Sequence, residues 1–406
     1  MILSASALFL GLASSGCGAT PTTSAVVAVG NSSPPTGSLA SPRPSVGQSS
    51  PQPTVPSCPA QVFSGLTEAQ RVGQLFLVGI AGDPVSDVAQ AVAAYHFGSL
   101  LSAGNLTAGV AGLQQLTRAY QALASSRATS GVRFFIAANQ EGGEVQSLRG
   151  PGFSAMPSAL AQGSLSPVVL QRQAAVWGRE LRSAGFNLNL APVMDVVPAG
   201  TADQNQPIGM IQREFGYSPA TVAAHGVAFI RGMQQAGIAT TAKHFPGLGR
   251  VLGNTDFTAG VVDSVTGPHD PYLRSFQGAI DAGVPFVLVA LATYTRIDAD
   301  HLAVFSPEVM RVILRQQMHF NGVIVSDDLG AATAVADLSP GVRGIDFLAA
   351  GGDLITSQSL SAAVAMDRAI RARVSADSAF RALVNSAVMR VLSAKQAYGL
   401  LPCSRR

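Results

Sequence analysis

Residues 218–249 are SPATVAAHGVAFIRGMQQAGIATTAKHFPGLG, and the fold can be predicted outward from this stretch. Ser218 followed by Pro219 is typical of a helix start, because serine caps free N–H groups and proline fits the first helical position. Gly237 is typical of a helix end. Ala239–Phe245 is then a short run of apolar and β-branched residues, which is typical of a buried strand. The stretch therefore predicts a helix that leads into a strand of a parallel sheet.

The same alternation repeats along most of the chain. A capping residue followed by proline also predicts helix starts at Asp83, Ser166, Asp270 and Ser306. Between the helical segments lie eight predicted strands, Gln74–Ile80, Gly98–Ser102, Phe134–Asn139, Phe186–Val193, Ala239–Phe245, Phe286–Tyr294, Val323–Asp328 and Asp353–Thr356. Eight such units predict an α/β fold, a single-domain TIM-type (β/α)8 barrel. A doubly wound open sheet is the alternative, but residues 79–82 (GIAG) after the first strand lack its G-x-G-x-x-G turn.

Composition and the first 57 residues predict a globular body on a tether. Apolar residues make up 47% of the 406 residues and charged residues 12%, which is enough for a large core. The net charge of +3 comes without a basic cluster, so we expect no nucleic-acid partner. Residues 18–57 are rich in Ser, Thr, Pro and Gly and predict a disordered linker. The catalytic or binding domain is expected at residues 58–406.

Residues 1–17 predict an export signal, since they form a short apolar run that ends in Ser14-Ser15-Gly16-Cys17. Small residues before a cysteine resemble a bacterial lipobox, in which the cysteine is acylated. Ser14 stands where leucine is usual, and no Lys or Arg precedes the apolar run. We expect lipidation of Cys17, a membrane anchor and an outward-facing lipoprotein. Secretion after ordinary signal cleavage is the alternative.

The two other cysteines, Cys58 and Cys403, bracket the predicted body. The termini of a barrel tend to lie close together, and an exported protein meets an oxidising compartment, so we predict a Cys58–Cys403 disulfide. Two free thiols are the alternative. Neither cysteine belongs to a C-x-x-C pair, and no two histidines have metal-ligand spacing. We therefore expect neither a metal nor a cofactor.

Polar residues follow four of the predicted strands. These segments are residues 139–143 (NQEGG), 191–195 (APVMD), 243–249 (KHFPGLG) and 326–329 (SDDL). In a barrel the carboxyl ends of the strands carry the active site. Burial of ionisable groups costs free energy unless they are paired, so a functional site is the simplest explanation for their position.

Together these four segments resemble glycoside hydrolase family 3, specifically its single-domain bacterial β-N-acetylglucosaminidases of the mycobacterial lipoprotein type. The resemblance covers nearly the whole body and implies that Asp327 is the nucleophile of a retaining mechanism. A helix cap is the alternative role for a strand-end aspartate, and Asp328 fits that role better. The resemblance also implies substrate binding by Lys243, His244 and Arg213. A structural ion pair for the lysine and a surface position for the arginine are the alternatives.

The chain departs from the family pattern at its general acid and at two sugar-binding positions. Thr258 stands where the family has a catalytic histidine, although the accompanying Asp256 is present. Because a threonine hydroxyl is no useful acid at neutral pH, we favour Asp256 as the acid/base; a residue from another loop or activity on activated substrates only are the alternatives. Asn139 replaces a substrate-binding aspartate, and Ser147 replaces an arginine for which Arg149 is a weak substitute.

The expected function is that of an exo-acting β-N-acetylglucosaminidase, a monomer whose substrates are carbohydrate fragments of the cell wall. This substrate class follows from the resemblance and not from the composition. Within the family, a β-glucosidase, a β-xylosidase or a phosphorolytic enzyme are alternatives. From a different class, a sugar-binding lipoprotein with weakened catalysis would also explain Thr258, Asn139 and Ser147.

Overall fold

Eight parallel strands form a closed barrel in the order in which they occur along the chain. The computed structural model describes residues 56–80 and 83–405. The first and last strands pair with each other, with Phe76 opposite Ile355, and this pairing closes the barrel. The barrel confirms the predicted TIM-type fold. Strands β1 to β8 are Phe76–Ile80, Ser99–Ser102, Phe135–Ala138, Leu188–Asn189, Ala239–Phe245, Phe286–Val289, Val323–Asp328 and Leu354–Ser357.

Helices surround the barrel and connect its strands. The side chains of Ser166 and Ser218 accept hydrogen bonds from Val169 N and Thr221 N, so both predicted serine caps are formed. A π-helix, Glu308–Gln317, precedes β7, and Ser306 accepts a hydrogen bond from Val309 N at its start. The α-helices are Cys58–Gly65, Glu68–Gly73, Val85–Tyr95, Gly109–Ala122, Ser126–Thr129, Ala159–Gln162, Pro167–Ser183, Pro219–Gln235, Leu273–Asp281, Pro340–Ala350, Leu360–Ala376 and Ser378–Ala397.

The loops at the carboxyl ends of the barrel strands contain additional short strands. Gln140–Gly142 pairs with Val145–Gln146 directly after β3. Val262–Asp263, Thr293–Tyr294 and Asp298–Leu302 form a separate three-stranded sheet. The loops also contain 3-10 turns at Ala202–Gln204, Gly209–Ile211, Ala303–Phe305 and Thr333–Val335, and a last one at Pro402–Arg405.

Several predicted elements are longer than the observed ones. The fourth strand was predicted over residues 186–193, but β4 is only Leu188–Asn189, and Pro192 beyond it has no N–H to offer a ladder. The sixth prediction, 286–294, joins two elements, because β6 ends at Val289 and Thr293–Tyr294 belongs to the small sheet. The helix predicted from Asp270 begins at Leu273, with Asp270 Oδ1 accepting from Tyr272 N.

The amino-terminal end of the barrel is closed by the helix Ser378–Ala397. Its Lys395 is fully buried and donates hydrogen bonds of 2.7 Å to Gln74 Oε1 and 2.6 Å to the Gly98 carbonyl oxygen. Burial lowers the pKa of Lys395 to about 7, because its two partners are neutral. This packing leaves the opposite face of the barrel, where the strands end, as the open one.

The two ends of the described chain meet at a disulfide between Cys58 and Cys403, which are separated by 345 residues. Residues 1–55, including Cys17 and the predicted linker, lie outside the part of the chain that the structure describes. Within 56–80 and 83–405 no helix combines the length and the apolar character needed to cross a bilayer.

Removal of the disulfide by the double substitution Cys58→Ala and Cys403→Ala is expected to lower the free energy of unfolding by about 2–5 kcal/mol, because the bond closes a very long loop in the unfolded chain. Denaturant unfolding of the variant and of the wild type, with and without reductant, measures this difference. If the wild type gains no mass on reduction and its unfolding midpoint is the same with and without reductant, the disulfide is contradicted.

Candidate active site

A buried carboxylate joins two of the strand-end segments and the loop of Arg213 at the open face of the barrel. Glu141, just after β3, accepts two hydrogen bonds of 2.8 Å from the guanidinium group of Arg213. Its Oε1 also lies 2.7 Å from Lys243 Nζ at the end of β5. Lys243 Nζ in turn donates a 2.8 Å hydrogen bond to Asn139 Oδ1. Three residues predicted to bind substrate are thus assembled around Glu141.

The charges in this cluster set its protonation states. Burial alone would raise the pKa of Glu141, but the charges and hydrogen bonds of Arg213 and Lys243 outweigh it and lower that pKa to about 2. Burial lowers the pKa of Lys243, and Arg213 lowers it further, while Glu141 and Asp327 oppose both effects. The site therefore keeps a permanently ionised carboxylate between two donors that can bind hydroxyl groups.

His244 is oriented by a second buried carboxylate, that of Asp195, which follows β4. His244 Nδ1 lies 2.7 Å from Asp195 Oδ2, and Asp195 Oδ1 accepts a 2.8 Å hydrogen bond from Leu248 N. His244 Nε2 lies 3.5 Å from Arg213 Nη2. A proton on Nδ1 satisfies both contacts, because Nε2 then accepts from the Arg213 guanidinium group. Leu248 is buried and holds the loop through its backbone N–H.

Asp327 lies at the end of β7, half-buried, with its Oδ1 accepting a 2.9 Å hydrogen bond from Asp328 N. Its negative charge raises the pKa values of Arg213 and Lys243, so the three groups share one electrostatic site. The neighbouring Asp328 was predicted to suit a helix cap, and that prediction is wrong, because no helix starts there. Its Oδ1 instead accepts hydrogen bonds from Gly330 N and Gln358 N within the turn.

Asp256 approaches the same site from the loop after β5. The carbonyl oxygen of Asp256 accepts a 3.1 Å hydrogen bond from Thr333 N, in the segment that follows Asp327. Asp256 is exposed as a whole residue, but desolvation of its carboxyl group raises the pKa of Asp256, and the charge of Asp327 raises it further, against the opposing charges of His244, Arg213 and Lys243. The carboxyl group of Asp256 therefore holds its proton to a higher pH than a free aspartate does.

In the described part of the chain, Thr258, Ser147 and Arg149 add no side chain to the cluster around Glu141. Thr258 is exposed, two residues beyond Asp256 on the outer part of the loop. Ser147 contributes backbone contacts, its N–H donating to the Asn139 carbonyl oxygen. Arg149 donates to the carbonyl oxygens of Gln146 and Gly143, so its guanidinium group is engaged within its own loop.

The part of the chain that the structure describes contains no group of three His, Cys, Asp or Glu side chains that could hold a metal ion. None of the other described histidines has a hydrogen-bond partner in the cluster around Glu141. His225, for example, lies in the helix Pro219–Gln235 and its ring nitrogens bond the carbonyl oxygens of Thr221 and Leu165 at 2.8 Å each.

Glu141 and Asp195 were missed as site residues from the sequence, although both stand in the quoted strand-end segments. Each is an acid directly after a buried strand, the same signal that singled out Asp327. The rule that buried charges are paired could have found them, since Lys243 and Arg213 need a counter-ion.

Comparison with known proteins identifies the family of the chain. Residues 67–394 match the model for the glycosyl hydrolase family 3 N-terminal domain. A curated β-hexosaminidase of Stenotrophomonas maltophilia is 35% identical over 54% of this chain and 65% of its own length, so the match spans less than two thirds of that relative.

Two solved structures are also similar. A β-N-acetylhexosaminidase from Beutenbergia cavernae is 47% identical with a TM-score of 0.80, and the match covers 81% of this chain and 98% of that one. A family 3 β-N-acetylglucosaminidase from Paenibacillus is 28% identical with a TM-score of 0.74, covering 82% of this chain and 63% of that one.

Glu214, next to Arg213, is a buried acid without a counter-charge. Neither of its carboxyl oxygens has a hydrogen-bond partner, and the side chain is fully buried. Burial raises its pKa from 4.5 to about 7. The segment that presents Arg213 therefore contains a carboxyl group whose ionisation costs free energy in the folded protein.

The substitution Glu214→Gln is expected to stabilise the protein at alkaline pH and to leave it nearly unchanged at acidic pH. The folded-state pKa is raised, so wild-type stability falls as pH rises from 4.5 to about 7, and the deficit persists above that. The amide cannot ionise, and the gain is on the order of 1–3 kcal/mol. Denaturant unfolding at a series of pH values measures it, with the exposed Glu144→Gln as control. Equal curves for Glu214→Gln and wild type would refute the assignment.

Proposed function

Because this chain belongs to glycosyl hydrolase family 3, we propose that it is a retaining exo-β-glycosidase whose preferred substrates carry a β-linked N-acetylglucosamine. The observation that supports it most is the pair of aspartates, Asp327 and Asp256, in one site with different environments. Positive groups surround the first, and the pKa of the second is raised. Two carboxyl groups with separated roles are what glycoside hydrolysis requires.

In the proposed reaction Asp327 attacks the anomeric carbon while protonated Asp256 gives its proton to the glycosidic oxygen. The bond to the leaving group breaks and a covalent glycosyl-Asp327 forms. Asp256, now ionised, then takes a proton from a water molecule that attacks the same carbon, which releases Asp327 and regenerates the acid. The two displacements together retain the configuration of the sugar.

The sugar hydroxyl groups are held by the cluster around Glu141. Lys243 and Arg213 supply donors, and His244, whose Nε2 lies 3.5 Å from Arg213 Nη2, borders the same cluster. Because Glu141 and Asp195 hold these groups in place before substrate binds, little ordering remains to be done on binding. The preference for an N-acetylated sugar is proposed from the relatives named for that activity.

Loss of the acid is expected to depend on the leaving group. Asp256→Ala should lower kcat/KM by about 10²–10⁴-fold on an unactivated alkyl N-acetylglucosaminide and far less on a nitrophenyl one, which needs little protonation. Asp327→Ala should abolish turnover of both. Steady-state kinetics on the two substrates measure these effects.

The neighbouring Thr258→Ala serves as the matched control on the same loop and should change neither rate. Equal, small losses on both substrates for Asp256→Ala would remove Asp256 from the acid role. A wild type that binds N-acetylglucosaminides but turns over neither substrate would instead favour the alternative of a sugar-binding lipoprotein, which Thr258 at the position of the family histidine also suggests.

We also propose that the protein is exported and acts as a monomer on peptidoglycan fragments, anchored through lipid on Cys17. Two features support the proposal: the lipobox-like sequence at residues 14–17, and a Cys58–Cys403 disulfide, which suits an oxidising compartment.

The substitution Cys17→Ser is expected to move the protein from the membrane fraction to the soluble fraction and to prevent labelling by radioactive palmitate. Cys58→Ser is the control that removes a cysteine and keeps the lipobox. Membrane association and labelling that survive Cys17→Ser would contradict the anchor.

A further inference from the structure

Exposed apolar side chains concentrate on the two loops that supply Arg213 and Asp256. Phe257 is 79% exposed, Leu252 65% and Met210 58%. Among the large apolar residues of the described chain, the only other one exposed to this extent is Val168, at 65%, on a barrel helix. Phe257 is also the only exposed phenylalanine in residues 56–80 and 83–405.

These two loops are built as one unit. Asn205, which is buried, donates from Nδ2 to the carbonyl oxygens of Leu248 and Val251 at 2.8 and 2.6 Å. Its Oδ1 accepts from Ile208 N and Gly209 N. The N–H of Gln206 donates to the Leu252 carbonyl oxygen. The apolar side chains therefore project from a hydrogen-bonded framework.

The position of Phe257 is tied to that of the acid. Phe257 N donates a 3.0 Å hydrogen bond to the Asn254 carbonyl oxygen, and Asn254 Oδ1 accepts from Asp256 N. The Asp256 carbonyl oxygen is held by Thr333 N. The acid of a glycosidase must touch the glycosidic oxygen, which is the atom that separates the reacting sugar from the leaving group. Phe257, the next residue, therefore belongs to the loop that borders the leaving group.

We propose that Phe257 is the platform of a leaving-group subsite, and that the occupant is a second pyranose ring whose C–H face stacks on the phenyl ring. Leu252 and Met210 extend the apolar border of that subsite along the neighbouring loop. An exposed aromatic ring offers a flat apolar face, and a sugar ring has a matching apolar face between its hydroxyl groups. The cluster around Glu141 has no such surface, because donors and acceptors line it.

This subsite rests on the proposed glycosidase activity and gives it a preference. Because the loops are held by their own hydrogen bonds, the free energy of stacking is not spent on ordering them. Substrates with a sugar as leaving group gain from the platform, and substrates with a small alkyl leaving group do not. The reaction thereby favours the ends of oligosaccharides over simple glycosides.

The test compares two substrates whose leaving groups are similarly basic. One is the β-1,4-linked disaccharide of N-acetylglucosamine, and the other is the methyl β-glycoside of a single N-acetylglucosamine. Phe257→Ala is expected to lower kcat/KM on the disaccharide by roughly three- to ten-fold and to leave the methyl glycoside unchanged. Phe257→Tyr should keep the disaccharide rate, because the ring face is retained. Val168→Ala removes an equally exposed apolar side chain elsewhere and should change neither.

Three outcomes would overturn the subsite. No change on the disaccharide would show that the ring does not contact the leaving group. An equal loss on both substrates would show that Phe257 acts only by placing Asp256. A loss restored by no aromatic residue would exclude stacking. If the wild type cleaves neither substrate, the proposed activity fails instead, and disaccharide binding to Asp327→Asn with and without Phe257→Ala then decides the subsite alone.

Discussion

The buried ion cluster of Glu141, Lys243 and Arg213 is the interaction on which the open face of the barrel depends. It joins the end of β3, the end of β5 and the loop after β4 through contacts of 2.7 to 2.8 Å. Burial of any one of these three charged groups without a partner would cost free energy. The groups are therefore stable in the interior only as a cluster. Both oxygens of Glu141 are already paired with Arg213 and Lys243, so Glu141 is not free to act as an acid or a nucleophile.

A second set of buried polar contacts holds the loops of the open face, and not the strands, in place. Asp195 orients His244 and also receives the backbone N–H of Leu248, so one carboxylate places both a site residue and the start of the Asp256 loop. Asn205 then joins that loop to the one that supplies Arg213. Through these buried polar side chains the position of the acid and of Phe257 is coupled to the barrel, which a long loop on its own would not provide.

The proposed acid, Asp256, lies two residues before Thr258, and both residues are exposed. The pKa of Asp256 is raised by desolvation of its carboxyl group and by the charge of Asp327. A carboxyl group that keeps its proton can carry out the protonation that imidazole performs elsewhere. Glu214 shows the same physical effect at a position where no reaction uses it, because burial without a partner raises its pKa as well.

The sequence by itself determined the barrel, because eight buried strand segments alternate with helical segments, five of which begin with a capping residue and a proline. It also determined which segments carry polar residues at strand ends, and hence Asp327, Lys243, His244 and Asn139 as candidates. Only the tertiary structure decided that Glu141 and Asp195 hold those residues, that Asp328 accepts hydrogen bonds within a turn, and that the charge of Asp327 acts on Asp256. Those facts depend on which charges meet across strands far apart in the chain, and a pairing of that kind leaves no local pattern in the sequence.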